Sequence, residues 1–236
     1  MTDTSRMTLP LLQAAQAQKH VTVNEALMRL DGLVNLVLVS RDIALPPATV
    51  LDGQCYGVPA GAVNAWAGQG GKVAIGANGG WVFASPQAGW RAFVLAEGRD
   101  ALHDGTDWVA GALTMSAHGA GLLAGVVETD HELMPGATST TLPIIPASAM
   151  VIGVTARVVH AITGTLSSWQ LGNTGAPDRF GSGLGVDEAS WVRGLLSQPM
   201  TFWVPEPLVL TATGGNFAAG TVRLAVHYFE ISLPVI

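Results

Sequence analysis

The sequence predicts a mainly β protein with an N-terminal helix, a small β-meander domain and a C-terminal β-sandwich or jelly roll. Three observations point there. A helix-period apolar stripe is confined to residues 1–40, short apolar runs divided by turn pairs fill residues 41–112, and longer runs rich in β-branched and aromatic residues fill residues 147–236. Between the two β domains, residues 113–146 are rich in Gly, Ala, Ser and Thr and carry Pro135, Pro143 and Pro146. They read as a linker, with one strand near residues 122–127.

The helix has a readable start. Thr22 and Glu25 have the spacing of a capping box, in which hydroxyl and carboxylate each satisfy an unpaired N–H of the first turn. Val23, Ala26, Leu30, Leu33 and Val37 then follow at intervals of 3, 4, 3 and 4, and Leu27 and Val34 widen the stripe. That is a heptad-like seam. Gly32 inside it costs about 1 kcal/mol relative to Ala. The seam either packs on its own domain or joins copies of the chain in a short symmetric bundle, so these seven residues are the expected oligomerisation contacts. A second, weaker helix is expected over residues 11–20.

From Ile43 the punctuation changes. Asp52-Gly53, Gly70-Gly71, Asn78-Gly79-Gly80, Ser85-Pro86 and Asp104-Gly105 form turns, and the apolar runs between them read as a meander. Trp66, Trp81, Trp90 and Trp108 are separated by 15, 9 and 18 residues, which is no fixed repeat and argues against a propeller. In the last domain, strands are expected over residues 150–162, 200–204, 207–212 and 221–231. Leu224, Val226, Tyr228 and Glu230 share one face of the last strand, with Arg223, Ala225, His227, Phe229 and Ile231 on the other. Residues 172–185 read as a long Gly-rich loop.

Composition narrows the function classes. The 236 residues are 49% hydrophobic and only 12% charged, against about 25% charged in average domains. This excludes disorder. Seventeen acidic against eleven basic residues argue against a nucleic-acid partner, whose affinity depends on Lys and Arg. Cys55 alone cannot form an intrachain disulfide. No signal peptide is expected, since the polar residues 1–6 lead into no continuous apolar stretch. The uncharged windows 108–127 and 133–156 are broken by Gly and Pro, so no membrane insertion is expected. So few charges leave apolar surface uncovered unless copies associate.

Catalytic signatures are mostly missing. His131-Glu132 opens like a zinc-protease helix, but Pro135 stands where the second His belongs. Gly181-Ser182-Gly183 has Phe180 where a nucleophile elbow needs Gly. Six single histidines and one Cys give no metal spacing, so no metal, cofactor or catalytic residue is expected. The carboxylates Asp104, Asp107, Glu128, Asp130, Glu132, Asp178, Asp187 and Glu188 read as turn caps or solvated groups rather than a glycosidase pair. Binding is the more natural use of what is present. Trp169 and Trp191, ranked above Trp203, join Asn173, Asp178 and Arg179 as a candidate glycan site. Sugar C–H faces stack on indole, and hydroxyls bond amide, carboxylate and guanidinium groups.

The run Leu9-Pro10-Leu11-Leu12-Gln13-Ala14-Ala15-Gln16-Ala17-Gln18-Lys19-His20-Val21-Thr22, followed by Asn24-Glu25-Ala26-Leu27, resembles the opening of a domain-of-unknown-function family. The family occurs in alphaproteobacterial prophages and in gene transfer agents, phage-like particles that carry host DNA. Asn64-Ala65-Trp66-Ala67-Gly68, Gly80-Trp81-Val82-Phe83, Pro86-Gln87-Ala88-Gly89-Trp90 and Asp104-Gly105-Thr106-Asp107-Trp108 are similar to its Trp-Gly elements. The resemblance covers about residues 9–110. Ile152-Gly153-Val154-Thr155-Ala156-Arg157-Val158, residues 178–185 and residues 210–228 resemble a β module that ends phage tail fibres.

The resemblance implies a virion fibre or spike component, assembled in the cytoplasm, that attaches the particle to a cell envelope. It supplies no catalytic residues. Phage fibres are commonly homotrimers, which would unite three copies of the seam. Contact with other virion proteins through the N-terminal segment and binding of surface polysaccharide are the expected partnerships. A structural adaptor without receptor binding and a glycan-degrading fibre enzyme are the alternatives.

Overall fold

The computed structural model describes residues 3–12 and 19–234, with Lys19 and His20 by backbone alone. The chain divides into two compact units, Met1–Gly119 and Ala120–Ile236.

The first unit holds α1 (Lys19–Leu33) and the strands β1 (Val37–Leu38), β2 (Cys55–Gly57), β3 (Val73–Ala77), β4 (Gly80–Ala84), β5 (Arg91–Val94), β6 (Arg99–His103) and β7 (Trp108–Ala110). They form one seven-stranded sheet in the order β4-β3-β2-β1-β5-β6-β7. Two antiparallel meanders are thus joined by β1, which runs parallel to both β2 and β5. Leu38 is fully buried there, as a central strand requires. Successive residues of β2 and β3 serve opposite faces. Cys55, Val73 and Ile75 join one core cluster, while Tyr56 and Ala74 join another around Trp66. The rings of Tyr56, Trp66 and Trp81 lie 5.2 to 5.7 Å apart.

The helix differs from the sequence reading at both ends. Lys19 and His20 are already helical, so Thr22 lies inside α1 and cannot be its cap. Residues 13–18 of the expected second helix lie outside the described residues, and Leu11 and Leu12 are not helical. Instead, the Asn24 side chain bonds the N–H and C=O of Leu12. Asn35, at φ 48°, ends the helix in the left-handed conformation that Asn tolerates. Val37, expected at the end of the seam, therefore belongs to β1.

The helix docks on the sheet through Met28, Asp31 and Gly32, all buried. A Cβ on Gly32 would come within 2.7 Å of Ile75 Cγ2, which accounts for a glycine inside a helix. Val23, Ala26 and Leu30 are exposed, on the side opposite Gly32 at about 100° per residue. An N-terminal strap is fastened across the last turn. The buried Asp31 carboxylate accepts from the Thr4 hydroxyl at 2.7 Å and from the Arg6 and Met7 N–H groups at 3.0 and 2.5 Å. The Arg6 guanidinium in turn donates to the carbonyls of Asp31, Gly32 and Asn35.

A second clasp holds the turn after β5. Glu97 accepts from Arg41 at 2.5 Å and pairs with Arg99 at 2.9 Å. Burial pushes the Glu97 carboxyl up, but the bonds from Arg41 and Arg99 outweigh it and leave it below the usual glutamate value of 4.5. A lowered folded value contributes stability above the unfolded one and loses it as pH falls through the folded one. The melting temperature of the wild type is therefore expected to fall more steeply than that of Glu97→Gln between about pH 5 and about pH 3. Parallel melting curves for the two proteins would refute the clasp.

After β8 (Ala112–Met115), the second unit comprises β9 (Gly121–Glu132), β10 (Thr138–Ile145), β11 (Ala149–Gly164), β12 (Ser168–Asn173), β13 (Ala176–Leu184), β14 (Trp191–Phe202), β15 (Glu206–Thr213) and β16 (Phe217–Ser232). One sheet is ordered β10-β15-β12-β13; the other runs β14-β11-β16-β9. Leu171, Phe180, Leu208 and Leu210 of the first sheet and Val151, Val154, Leu224, Val226 and Tyr228 of the second share one core, which makes a β-sandwich. β9 pairs with β16 along the whole length of β9, from Thr221 opposite Glu132 to Ser232 opposite Gly121.

Two expectations fail here. Residues 113–146 are not a linker but contain β9 and β10, and β10 sits at a sheet edge where Pro143 is tolerated. Residues 172–185 are not a loop but the tight hairpin of β12 and β13. Their glycines permit close approach: a Cβ on Gly172 would lie 2.0 Å from the Ala176 carbonyl oxygen, and one on Gly181 2.8 Å from Val192.

Candidate functional site

The outward face of β14, β11, β16 and β9 carries Trp191 together with three arginines. Alternation puts Val222, Leu224, Val226 and Tyr228 into the core and turns Arg223, Ala225 and His227 outward. The register then fixes who stands beside whom. Trp191, Arg157, Arg223 and Asp130 form one row across the four strands, and Arg193, Thr155, Ala225 and Glu128 form the next. Neighbouring strands are about 4.8 Å apart, so Trp191 and Arg223 stand about 10 Å apart in their row. All of these residues except Asp130 line a shallow hollow of about 460 Å³. A third row, with Leu195, Gly153 and His227, continues the surface as a smaller apolar hollow of about 250 Å³.

Trp191 is 66% exposed, which an indole without a ligand does at the cost of hydrating its ring. The Arg193 guanidinium lies 6.0 Å from its ring centroid, in cation–π range. Arg223 makes a two-pronged bond to Asp130, with both contacts at 2.7 Å, and approaches Glu128 at 3.9 Å. The bond to Arg223 holds the Asp130 carboxyl below its usual value. Arg157 and Arg193 form no ion pair among the described residues. Thr155 Oγ1 and His227 Nε2 are 3.0 Å apart.

Of the residues expected to bind glycan, only Trp191 belongs to this face. Trp169 is a core residue, 2% exposed, with its indole N–H donating to the Gly185 carbonyl at 2.9 Å, so it offers no stacking surface. Asn173 is buried, donates to Glu206 at 2.9 Å and accepts from Arg179 at 2.6 Å, which ties β12, β13 and β15 together. Asp178 is exposed on β13 and, like Asn173 and Arg179, does not line the hollow beneath Trp191. Trp203, 78% exposed, lies in the short connection from β14 to β15 and is also outside it. The neighbours of Trp191 that the sequence did not mark as site residues are Arg157, Arg193 and Arg223. The signal for Arg193 is the i, i+2 spacing from Trp191, which puts both on one strand face.

His131 and Asp104 have structural duties. His131 Nε2 and Ser139 Oγ are 2.8 Å apart, and that hydroxyl oxygen also accepts from the Met134 N–H. Asp104 Oδ1 accepts from the N–H groups of Thr106 and Asp107, both at 2.7 Å, and so builds the turn before β7.

Residues 23–109 match the family model described as a protein of unknown function, DUF2793. The DUF2793 match lies entirely within the first unit and takes in most of α1 and the sheet as far as Val109. None of the curated proteins compared matches the chain. Among solved structures, it is similar to a chain of the cyanophage Pam1 capsid asymmetric unit, at 22% identity and a TM-score of 0.37 over 50% of this chain and 92% of that one. It is also similar to a chain of the acid-stable capsid of Helicobacter pylori bacteriophage KHP30, at 16% identity and 0.33 over 48% and 96%. FLHE, at 17% identity and 0.29 over 44% and 96%, is a third. Scores this low leave these neighbours silent on fold and role.

Proposed function

We propose that the protein is a structural component of a phage or gene transfer agent particle, a fibre or spike that attaches the particle to envelope polysaccharide. The Trp-Gly motifs of the DUF2793 region and the fibre-like C-terminal motifs support the first half of this reading. The observation that carries the second half is Trp191, two-thirds exposed on an open sheet face among hydrogen-bonding groups. Such a face suits a long polymer lying across strands better than a small metabolite, which deep pockets enclose.

The apolar stripe Val23, Ala26 and Leu30 supports assembly of identical copies, a homotrimer in this reading, with Leu27, Leu33 and Val34 half-buried at its margins. Several equivalent weak sites would then hold a repetitive polymer by effective concentration. No chemistry on the glycan is part of this proposal.

The test is binding of the purified full chain to envelope polysaccharide from susceptible cells, together with its mass in solution. The expected result is a mass three times the 24.4 kDa chain and binding that Trp191→Ala weakens at least tenfold without changing that mass. Equal binding by the wild type and Trp191→Ala would overturn the site. Shortening of the polymer on incubation would favour an enzyme instead.

A further inference from the structure

Resting on the glycan reading above, the geometry points to an anionic polysaccharide as the occupant of the Trp191 face, with Arg157 and Arg193 taking its carboxylate or phosphate groups. Only eleven basic residues occur in the whole chain and the net charge is −6, yet three arginines converge on one hollow. Arg223 is already matched by Asp130. Arg157 and Arg193 form no ion pair among the described residues, and they stand in successive rows on adjacent strands, on either side of a diagonal from Trp191 to Thr155.

A guanidinium left unpaired beside an exposed indole is a two-part receptor. The planar fork takes a carboxylate or phosphate through paired N–H donors. The ring stacks on the apolar face of the adjoining sugar. A neutral glycan would use Trp191 and leave both cations unmatched. Glu128 at the far side of the hollow repels an anion there, which places the anionic group at the β14 and β11 end. Nucleic acid fits the face less well, because its affinity grows with many phosphate contacts and the acidic chain offers two free guanidinium groups here.

The experiment measures binding of the full chain to four polymers: polygalacturonate, a phosphodiester-linked polysaccharide, neutral dextran and single-stranded DNA. Wild type is compared with the double variants Arg157→Gln/Arg193→Gln and Arg157→Lys/Arg193→Lys. Both positions are exposed, so unchanged melting curves are expected. The wild type should bind at least one acidic polysaccharide at least tenfold more tightly than dextran. That preference should vanish in the Gln variant and largely survive in the Lys variant. It should also fade as salt rises from about 0.01 M to about 1 M, where the screening length shrinks from about 30 Å to about 3 Å. Carboxylate and phosphate as the recognised group are told apart by which acidic polymer binds.

Dextran or DNA bound as tightly as the better-bound acidic polymer, or no loss in the Gln variant, overturns the inference. So does a wild type that binds none of the four. Envelope polysaccharide is run alongside. Binding to it that needs Trp191 but not the two arginines leaves the glycan reading standing and removes only the anionic preference, whereas indifference to all three residues removes both.

Discussion

Truncating Trp169 to alanine is expected to destabilise the second unit by about 3–5 kcal/mol, the usual loss for a large aromatic side chain deleted from a packed core. The indole is 2% exposed and belongs to the cluster shared by both sheets of the sandwich. Its removal also leaves the Gly185 carbonyl without its side-chain donor. Trp169→Phe separates the two effects, because it keeps most of the apolar volume and forfeits the hydrogen bond, for about 1–3 kcal/mol. Urea unfolding followed by circular dichroism measures both. Trp169→Ala with wild-type stability but no polysaccharide binding would make Trp169 a stacking platform after all.

The second large effect is expected at Asp31, whose replacement by alanine should cost about 3 kcal/mol or more. One buried carboxylate there gathers the Thr4 hydroxyl and the N–H groups of Arg6 and Met7. Bonds to a charged acceptor are each worth about 1.5–3 kcal/mol, they do not add, and the abandoned donors keep their desolvation cost. Because Arg6 caps the last turn of α1 from the same strap, losing Asp31 should free residues 3–10 as a segment. Trypsin should then cleave after Arg6 in Asp31→Ala far faster than in the wild type, and the amides of Arg6 and Met7 should lose protection from hydrogen exchange. Unchanged cleavage and exchange would show that the strap holds without its acceptor.

The parts of the fold legible in the sequence were those in which one signal acted alone. In β16 the period-2 pattern alone sorts Leu224, Val226 and Tyr228 from Arg223, Ala225 and His227, and the core follows it. Elsewhere one residue type served two physical ends. Glycines 172, 181 and 185 suggest loop by propensity, yet the structure uses the first two where backbone or side chains approach too closely for a Cβ. Pro143 suggests a break, yet it stands opposite Pro207 in an edge strand that can spare a donor. Val37 prolonged the helical spacing, and a short apolar run cannot be told from a buried strand until its parallel partners Cys55 and Phe93 arrive from afar.

The site was less legible than the fold. Trp169 and Trp191 have the same chemistry, and only which face of its strand carries the ring decides whether it meets the core or water. Arg157, Arg193 and Arg223 come from three strands 30 to 66 residues apart, so their meeting is a matter of register. The seam of α1 was readable as a stripe. The packing of its opposite side at Gly32 rested on Ile75, which no local pattern couples to the helix.

The pairing of β9 with the C-terminal part of β16 sets Gly121 directly opposite Ser232. The points where the polypeptide runs into and out of the sandwich are therefore one strand spacing apart, about 4.8 Å. A module with abutting ends can be grafted into a carrier through two short joints, and it tolerates circular permutation. Exchanging this cassette for another of the same plan would redirect what a carrier recognises while leaving the carrier's own fold intact.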